Sequence, residues 1–158
     1  SGKSTVGREL ASALKLQFID LDNYIEERNF KTIPEIFASA GEEGFRKVEQ
    51  LALHEVSEFE NVVVATGGGA PCFFDNMELI KRTGVSVYLN GTPRILAERL
   101  IQSKTERPLI KGKTEEELIV FIHETLDKRD FWYKQADFEI GFDQDIQTSE
   151  ILDVLKLT

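Results

Sequence analysis

The chain is poor in the residues that build disulfide frameworks and metal sites. Among its 158 residues there is one cysteine, Cys72, and there are two histidines, His54 and His123. A single cysteine excludes an internal disulfide, and neither histidine has an acidic or cysteine partner at metal-site spacing. We therefore expect Cys72 to be a small packed residue and both histidines to be ordinary helix residues.

Long apolar runs and an excess of positive charge are also missing. No stretch approaches the roughly 20 apolar residues that cross a bilayer, and no signal-peptide pattern is visible. The net charge is −9, whereas nucleic acid and anionic membrane surfaces both require a basic face. We expect a cytoplasmic, monomeric protein that binds neither, and the 41% hydrophobic content is typical of a single globular domain over residues 1–158.

The first residues present half of a phosphate-binding motif. Ser1-Gly2-Lys3-Ser4-Thr5 runs into an amphipathic helix, as the end of a phosphate loop does. In that motif Lys3 reaches the outer phosphates, Ser4 places its hydroxyl on Mg²⁺ and Thr5 lies near the inner phosphate. A complete loop also has an earlier glycine and a preceding buried strand, which we expect to be missing from this chain. Alone, the motif is weak, and the alternative is an ordinary Ser/Thr-rich helix start with a solvated lysine.

Strands and helices alternate along the rest of the chain, which predicts an α/β protein with a parallel sheet and helices on both faces. Four strands are visible, and the one expected before Ser1 makes five. Two stretches are insertions into this pattern, and the second is polar and basic like a mobile loop. The predicted strands lie near 17–20, 61–66, 85–89 and 137–142, and the insertions are residues 30–60 and 103–113.

Two aspartates close the first visible strand. In an extended chain the spacing of Asp20 and Asp22 would direct both carboxylates to one side. One could hold Mg²⁺ through its waters while the other accepts a proton from a substrate hydroxyl. The alternative, that Asp22 caps the next helix, explains one acid but not two.

Two further patterns point to an anionic substrate close to the backbone. Arg46 and Glu49 are one helical turn apart, so the carboxylate could orient the guanidinium towards a substrate carboxylate, although a surface ion pair has the same spacing. Gly67–Gly69 follow a β-branched strand, where glycines permit a ligand to approach the main chain or a turn to take positive φ. A tight turn into Pro71 is the simpler alternative.

Two arginines complete the candidate set. Arg107, in the basic stretch 103–113, could close onto the transferring phosphoryl group, but without a phosphate loop it would be only a solvated cation. Arg129 lies late in a long helix and precedes Trp132 and Tyr133, which we interpret as packing residues rather than a base-stacking platform.

In this order and spacing, the motifs resemble the shikimate kinases over essentially the whole chain. They are Gly-Lys-Ser-Thr, Phe-x-Asp-x-Asp, Gly-Glu-x-x-Phe-Arg-x-x-Glu, Thr-Gly-Gly-Gly, Arg-Pro-Leu-Ile and a late Lys-Arg before aromatic residues. The resemblance implies a three-layer α/β/α P-loop kinase fold and transfer of the ATP γ-phosphoryl group to the 3-hydroxyl of shikimate, on the route to chorismate and the aromatic amino acids. Residues 30–60 then correspond to the shikimate-binding insertion and 103–113 to the lid.

The resemblance also assigns roles on the shikimate side. Asp22 would bind the reacting hydroxyl and act as base. Arg46 and Arg129 would hold the shikimate carboxylate. Gly67, Gly68 and Gly69 would line the pocket, with Gly68 offering a backbone N–H.

On the ATP side, Lys3 and Arg107 would assist transfer and Arg99 would pack on adenine. Asp20 and Ser4 would support Mg²⁺. The remaining ATP-binding residues implied are Ser1, Gly2 and Thr5.

Two departures and two alternatives stand beside the resemblance. Asp130-Phe131 occupies a position where the family often has proline, and an adenine contact expected near 143–147 cannot be placed. A gluconate-type kinase and a non-catalytic nucleotide-binding module are the other candidates. The second has no need of an acceptor site, so Asp22, Arg46 and Arg129 argue against it.

Overall fold

The computed structural model describes residues 3–102, 113–144 and 146–156. In these residues four strands alternate with seven α-helices and one 3-10 turn, as the sequence predicts. The strands are β1 (Gln17–Asp20), β2 (Val62–Ala65), β3 (Val87–Gly91) and β4 (Phe138–Phe142). The helices are α1 (Lys3–Leu14), α2 (Leu21–Asn29), α3 (Ile33–Ser57), α4 (Asn76–Thr83), α5 (Pro93–Gln102), α6 (Glu115–Tyr133) and α7 (Thr148–Lys156), and the 3-10 turn is Ala70–Cys72.

The strands pair in parallel, as predicted for an α/β protein. In one pair, β1 runs beside β2 with Asp20 opposite Ala65. In the other, β3 runs beside β4 with Gly91 opposite Phe142. Within the described residues these are two separate two-stranded sheets, and the fifth strand expected before Ser1 lies outside them. Because the strands of each pair are parallel, their carboxyl ends share an edge, where ligands of such sheets bind.

Helix α3 is two helical segments joined at a glycine. Thr32 caps its start: its hydroxyl accepts from the Glu35 N–H at 3.3 Å, and its own N–H donates to the Glu35 carboxylate at 3.1 Å. Inside the helix Gly41 has φ 71° and ψ −177°, a conformation that favours glycine. Gly41 is therefore the break between the two helical segments.

Two apolar clusters flank the strands. The larger one joins α2, α3 and α4, and Leu21 and Ile25 at its centre are fully buried. The second packs α1 against α7 and the inner strand residues, with Ile151 2% exposed. The larger cluster fixes α2 and α3 against the carboxyl end of β2, so side chains from both helices reach that end.

The two histidines lie on helices, and the single cysteine lies in the 3-10 turn. His54 and His123 are both exposed on helices, as expected, and His123 pairs with Asp127 at 3.2 Å. Cys72 is a half-buried free cysteine. Across the described residues, none of the helices combines the length and the apolar character needed to cross a bilayer.

Candidate active site

The three glycines after β2 lie against charged groups from four helices. A Cβ atom on Gly69 would lie 2.6 Å from both terminal nitrogens of Arg46, and one on Gly68 would lie 2.8 Å from Nη1 of Arg129. Side chains at these positions would collide with both guanidinium groups. In the described part of the chain, Gly41 is the glycine with positive φ, so the close approach, and not an unusual backbone angle, requires glycine here.

Arg46 and Glu49 form a buried ion pair. Arg46 Nη1 donates to Glu49 Oε1 at 2.9 Å, and the side chains are 8% and 1% exposed. This burial excludes the alternative of a surface ion pair. The Arg46 guanidinium also lies over the Phe73 ring at 4.2 Å from its centroid. The ion pair with Glu49, one helical turn away, and the contact with the Phe73 ring therefore hold the Arg46 guanidinium beside Gly69.

The electrostatics of the pair follow from its burial. Burial raises the pKa of the Glu49 carboxyl, Arg46 opposes the shift, and the nearby Asp22 charge adds to it. Among the described residues the buried Nε of Arg46 has no hydrogen-bond partner. A buried donor without a partner is costly, so Arg46 retains capacity to bind an acceptor such as a carboxylate.

Asp22 lies at the first glycine. A Cβ atom on Gly67 would be 3.4 Å from Asp22 Oδ1 and 3.7 Å from Glu49 Oε2. The structure thus brings Asp22 into one cluster with Glu49 and Arg46. The local geometry differs from the sequence argument, because Asp22 is in the first turn of α2 and not in an extended chain.

Asp20, not Asp22, is the residue that caps α2. Its Oδ1 accepts from the Asn23 N–H at 3.2 Å, and its Oδ2 accepts from the Ser4 hydroxyl at 2.6 Å. The alternative in which Asp22 caps the next helix is therefore excluded, because the strand ends at Asp20, which takes the extended conformation of a cap residue. This leaves the Asp22 side chain to face Gly67.

Lys3 connects the start of α1 with the glycine segment. Its Nζ lies 3.5 Å from the carbonyl oxygen of Thr66 and 3.7 Å from the position of a Cβ on Gly68. The phosphate-motif lysine and the predicted acceptor residues therefore meet at one edge of the β1–β2 sheet. Thr5 is exposed in the same first turn of α1, whereas Ser1 and Gly2 lie outside the described residues.

Tyr133 is the site residue that the sequence reading missed. Its hydroxyl donates to the carbonyl oxygen of Gly68, and Arg129 Nη1 donates to the same hydroxyl at 3.4 Å. The sequence predicts a packing role for Tyr133, and its ring does pack on Tyr88 at 4.8 Å between centroids. The spacing of four residues from Arg129, which places both on one helix face, is the signal that could have identified it.

The β3–β4 edge carries a second concavity. A cleft of about 480 Å³ opens at the carboxyl ends of these strands, between residues 90–93 and 141–143 with Leu126. Arg99 lies over the Phe142 ring at 5.1 Å from its centroid. Arg99 therefore contacts an aromatic wall of this cleft, and Asp143 of the stretch 143–147 lines it. Arg107 and nearly all of the predicted lid fall outside the described residues.

The residues around Ser4 fit a magnesium ion better than a dedicated protein metal centre. Over the described ranges, no three His, Cys, Asp or Glu side chains are grouped closely enough to hold a metal. Mg²⁺ needs no such group, because it takes one or two protein oxygens, phosphate oxygens and waters. The hydroxyl of Ser4 and the carboxylate of Asp20, in mutual contact at 2.6 Å, are a donor set of this kind.

Comparison with known proteins identifies the family of this chain. A family model described as "Shikimate kinase" matches residues 1–156. The chain belongs to the shikimate kinase family. It is therefore an ATP-dependent kinase with the three-layer P-loop kinase fold, as the motifs predicted.

Named relatives and solved structures agree with the shikimate kinase assignment. The shikimate kinase of Bacteroides thetaiotaomicron is 51% identical over 144 residues, covering 91% of this chain and 82% of that protein. That of Parabacteroides distasonis is 49% identical over 98% of this chain and 89% of the relative.

Among solved structures, a shikimate kinase from Bacteroides thetaiotaomicron has a TM-score of 0.93 at 46% identity, covering 98% of this chain and 92% of its own. The shikimate kinase from Acinetobacter baumannii, solved in complex with shikimate, has a TM-score of 0.88 at 36% identity, covering 99% and 86%.

Proposed function

We propose that this chain transfers the γ-phosphoryl group of ATP to the 3-hydroxyl of shikimate, with the segment Gly67–Gly69 as the floor of the acceptor site. The observation that carries the assignment of residues is the meeting of Asp22, Arg46 and Arg129 on that segment. One carboxylate and two guanidinium groups match an acceptor that presents hydroxyls and one carboxylate.

Arg46 and Arg129 bind the shikimate carboxylate. Each has a fixed neighbour, since Glu49 holds Arg46 at 2.9 Å and Tyr133 accepts from Arg129 at 3.4 Å. Orienting the arginines in advance reduces the entropy that binding must overcome. Gly69 supports this role because its lack of a side chain allows the Arg46 guanidinium to lie on the backbone.

Asp22 binds the reacting hydroxyl and accepts its proton as the oxygen bonds to the γ-phosphorus. The bond between that phosphorus and the β–γ bridging oxygen breaks, and ADP leaves. Lys3, beside Gly68, compensates negative charge that moves towards the phosphate oxygens during transfer. Positioning and charge compensation supply most of the rate enhancement in such reactions.

Ser4 and Asp20 would hold Mg²⁺, which would supply positive charge to the ATP phosphates. Ser1, Gly2 and Thr5 complete the phosphate site, and Arg99 packs on adenine near the β3–β4 cleft. Arg107 of the lid, residues 103–113, closes on ATP, and residues 30–60 form the shikimate-binding insertion. We place the enzyme in the cytoplasm as a single-domain monomer without a nucleic acid partner.

A coupled assay that follows ADP release from ATP and Mg²⁺ tests this function. We expect rapid turnover with shikimate and little with gluconate, because a flexible open-chain acid does not match two fixed arginines and one carboxylate. Preference for gluconate would assign the chain to the other kinase class. ATP binding without turnover on either acid would identify a nucleotide-binding module.

The variant Asp22→Asn tests the base. We expect kcat to fall by about 10²- to 10⁴-fold, the usual contribution of a general base, with the thermal unfolding temperature nearly unchanged. Glu43→Gln, an exposed acid on α3 whose lysine partner is 3.8 Å away, is the matched control and should keep full turnover. Near-normal turnover of Asp22→Asn would remove Asp22 as base.

A further inference from the structure

We propose that Tyr133 is a positioning residue for the acceptor half of the site, because its hydroxyl links the Gly68 backbone to the Arg129 guanidinium. The inference rests on the proposed role of Arg129 in holding the shikimate carboxylate.

One hydroxyl makes both contacts. It donates its proton to the Gly68 carbonyl oxygen, 65 residues earlier in the chain, and accepts from Arg129 Nη1 at 3.4 Å. A phenol has one proton to give and lone pairs to receive, so these two bonds are compatible. Tyr133 therefore connects the floor of the proposed acceptor site at Gly68 with an arginine that the proposed function assigns to the shikimate carboxylate.

The first contact sets the direction of a backbone donor. Since a peptide unit is planar, fixing the Gly68 carbonyl also fixes the plane of the peptide that joins Gly68 to Gly69. The N–H of Gly69 then points away from Tyr133. Glycines have the most backbone freedom of all residues, so three in a row need an external restraint to present such a donor in one direction.

The second contact limits the freedom of Arg129. Its half-buried side chain has several rotatable bonds, and Nη1 would lie 2.8 Å from a Cβ on Gly68. A guanidinium so close to the backbone needs a defined orientation, and the phenol oxygen supplies an acceptor for it. Without the hydroxyl, Arg129 can rotate away from the carboxylate position.

The Tyr133 ring is itself fixed from the other side. It packs against Tyr88 of β3, with 4.8 Å between centroids, and the Tyr88 hydroxyl makes a separate bond to Asn90 Oδ1 at 3.3 Å. Burial raises the pKa of both phenols, that of Tyr88 to about 12, so both remain protonated at working pH. The two hydroxyls thus have different partners although their rings share one contact.

That arrangement provides a matched pair of variants. Tyr133→Phe keeps the ring contact and removes both bonds to the site. Tyr88→Phe keeps the same ring contact and removes only the bond to Asn90.

For Tyr133→Phe we expect KM for shikimate to rise about tenfold, which is the scale of one lost hydrogen bond to a charged group. KM for ATP should stay within about twofold. For Tyr88→Phe both KM values should stay within about twofold, and the unfolding temperatures of the two variants should be similar. A lower unfolding temperature for Tyr133→Phe with unchanged KM for shikimate would show a packing residue and overturn the proposal.

A double-mutant cycle separates this proposal from the proposed function. If Tyr133 acts through Arg129, Tyr133→Phe should change shikimate KM less than about threefold in an Arg129→Ala background. Full additivity would overturn the link between the two residues.

If Arg129→Ala alone raises KM for ATP and KM for shikimate equally, the proposed role of Arg129 is wrong. The positioning role of Tyr133 depends on that role and is then overturned as well. If Arg129→Ala weakens shikimate but Tyr133→Phe does not, the proposed function stands and only the positioning role fails.

Discussion

The acceptor side and the nucleotide side of this site are built differently. At Gly67–Gly69, polar side chains from α2, α3 and α6 meet, and each arginine is held by a neighbour on its own helix, with Glu49 1% exposed. On the nucleotide side, Lys3, Ser4 and Thr5 are consecutive residues in the first turn of α1, half-buried or exposed. One side depends on long-range packing and the other on a local helix start.

The difference follows from what each side has to recognise. Phosphate oxygens can be bound by backbone N–H groups at a helix N-terminus, so few side chains need exact positions. A small hydroxylated acid must be distinguished from other acids, and sites achieve this with fixed polar groups that are left unpaired by the wrong substrate. The acceptor side should therefore lose stability and specificity together when it is mutated, whereas the nucleotide side should lose affinity alone.

The largest effect should come from Arg46→Ala. Removing the guanidinium leaves the Glu49 carboxyl buried without its counter-charge, a change that typically costs about 3–5 kcal/mol of stability. Denaturant unfolding of the variant measures this cost. Shikimate binding, followed by calorimetry, should weaken far more than ATP binding.

A double variant that removes both charges of the ion pair separates the loss of stability from the loss of shikimate binding. Arg46→Met with Glu49→Gln removes both charges and should recover most of the stability, yet it should not recover shikimate binding. If the double variant binds shikimate normally, Arg46 is only a structural residue and the comparison between the two sides fails.

A smaller loss is expected for Gly69→Ala. The added methyl group would lie 2.6 Å from Arg46 Nη1 and Nη2, so the guanidinium must move, at a cost of about 1–3 kcal/mol for an overpacked site. Gly84→Ala is the control, because a Cβ there has no neighbour within 4 Å among the described residues and φ is −170°. Equal shikimate affinity in the two variants would contradict the close approach at Gly69.

On the nucleotide side, Arg99→Ala should have a modest effect. Its half-buried guanidinium lies 5.1 Å from the centroid of the Phe142 ring, and such contacts contribute about 0.5–1 kcal/mol. We expect KM for ATP to rise about two- to fivefold, with KM for shikimate unchanged and stability lowered by no more than about 1 kcal/mol. A change in shikimate KM of the same size would remove the distinction between the two sides.

The smallest effect should be a pH dependence of stability due to Glu49. Its pKa is raised by burial in the folded chain, while Arg46 partly cancels the shift, and the unfolded chain titrates near the ordinary value of 4.5. As pH rises from below 4.5 through the raised folded pKa, the unfolded state releases its proton first, so the contribution of Glu49 to stability is lost.

The comparison with Glu49→Gln isolates this titration. The Glu49→Gln variant lacks the titrating carboxyl. Its unfolding temperature, relative to the unmodified protein, should rise as the pH increases from 4.5 through the raised pKa of Glu49. If the unfolding temperature of Glu49→Gln instead falls with pH relative to the unmodified protein, the charge of Arg46, rather than burial, determines the direction of the Glu49 pKa shift.

Sequence reasoning identified the acceptor cluster because spacing and chain order are local information. The turn between Arg46 and Glu49 and the three glycines after β2 are visible in the sequence, and the structure brings them together with Asp22 and Arg129. Burial was not visible, which is why Arg46 and Glu49 were as compatible with a surface pair as with a site.

Two details depended on tertiary contacts. Asp20 rather than Asp22 caps α2, because the Ser4 hydroxyl and the start of α2 both meet the end of β1. Tyr133 reads as an ordinary aromatic residue in α6, and only the fold shows that its hydroxyl reaches Gly68. The pairing of strands into two sheets likewise depends on contacts between distant segments.

The bond between Tyr133 and Gly68 also bears on how the protein folds. Because it joins residues 65 apart in sequence, it cannot form until most of the intervening chain has collapsed, whereas the first turn of α1 closes within a few residues. During refolding the helices can therefore appear before the acceptor site is assembled. Recovery of shikimate turnover consequently reports completion of the fold, in a way that recovery of helical signal does not.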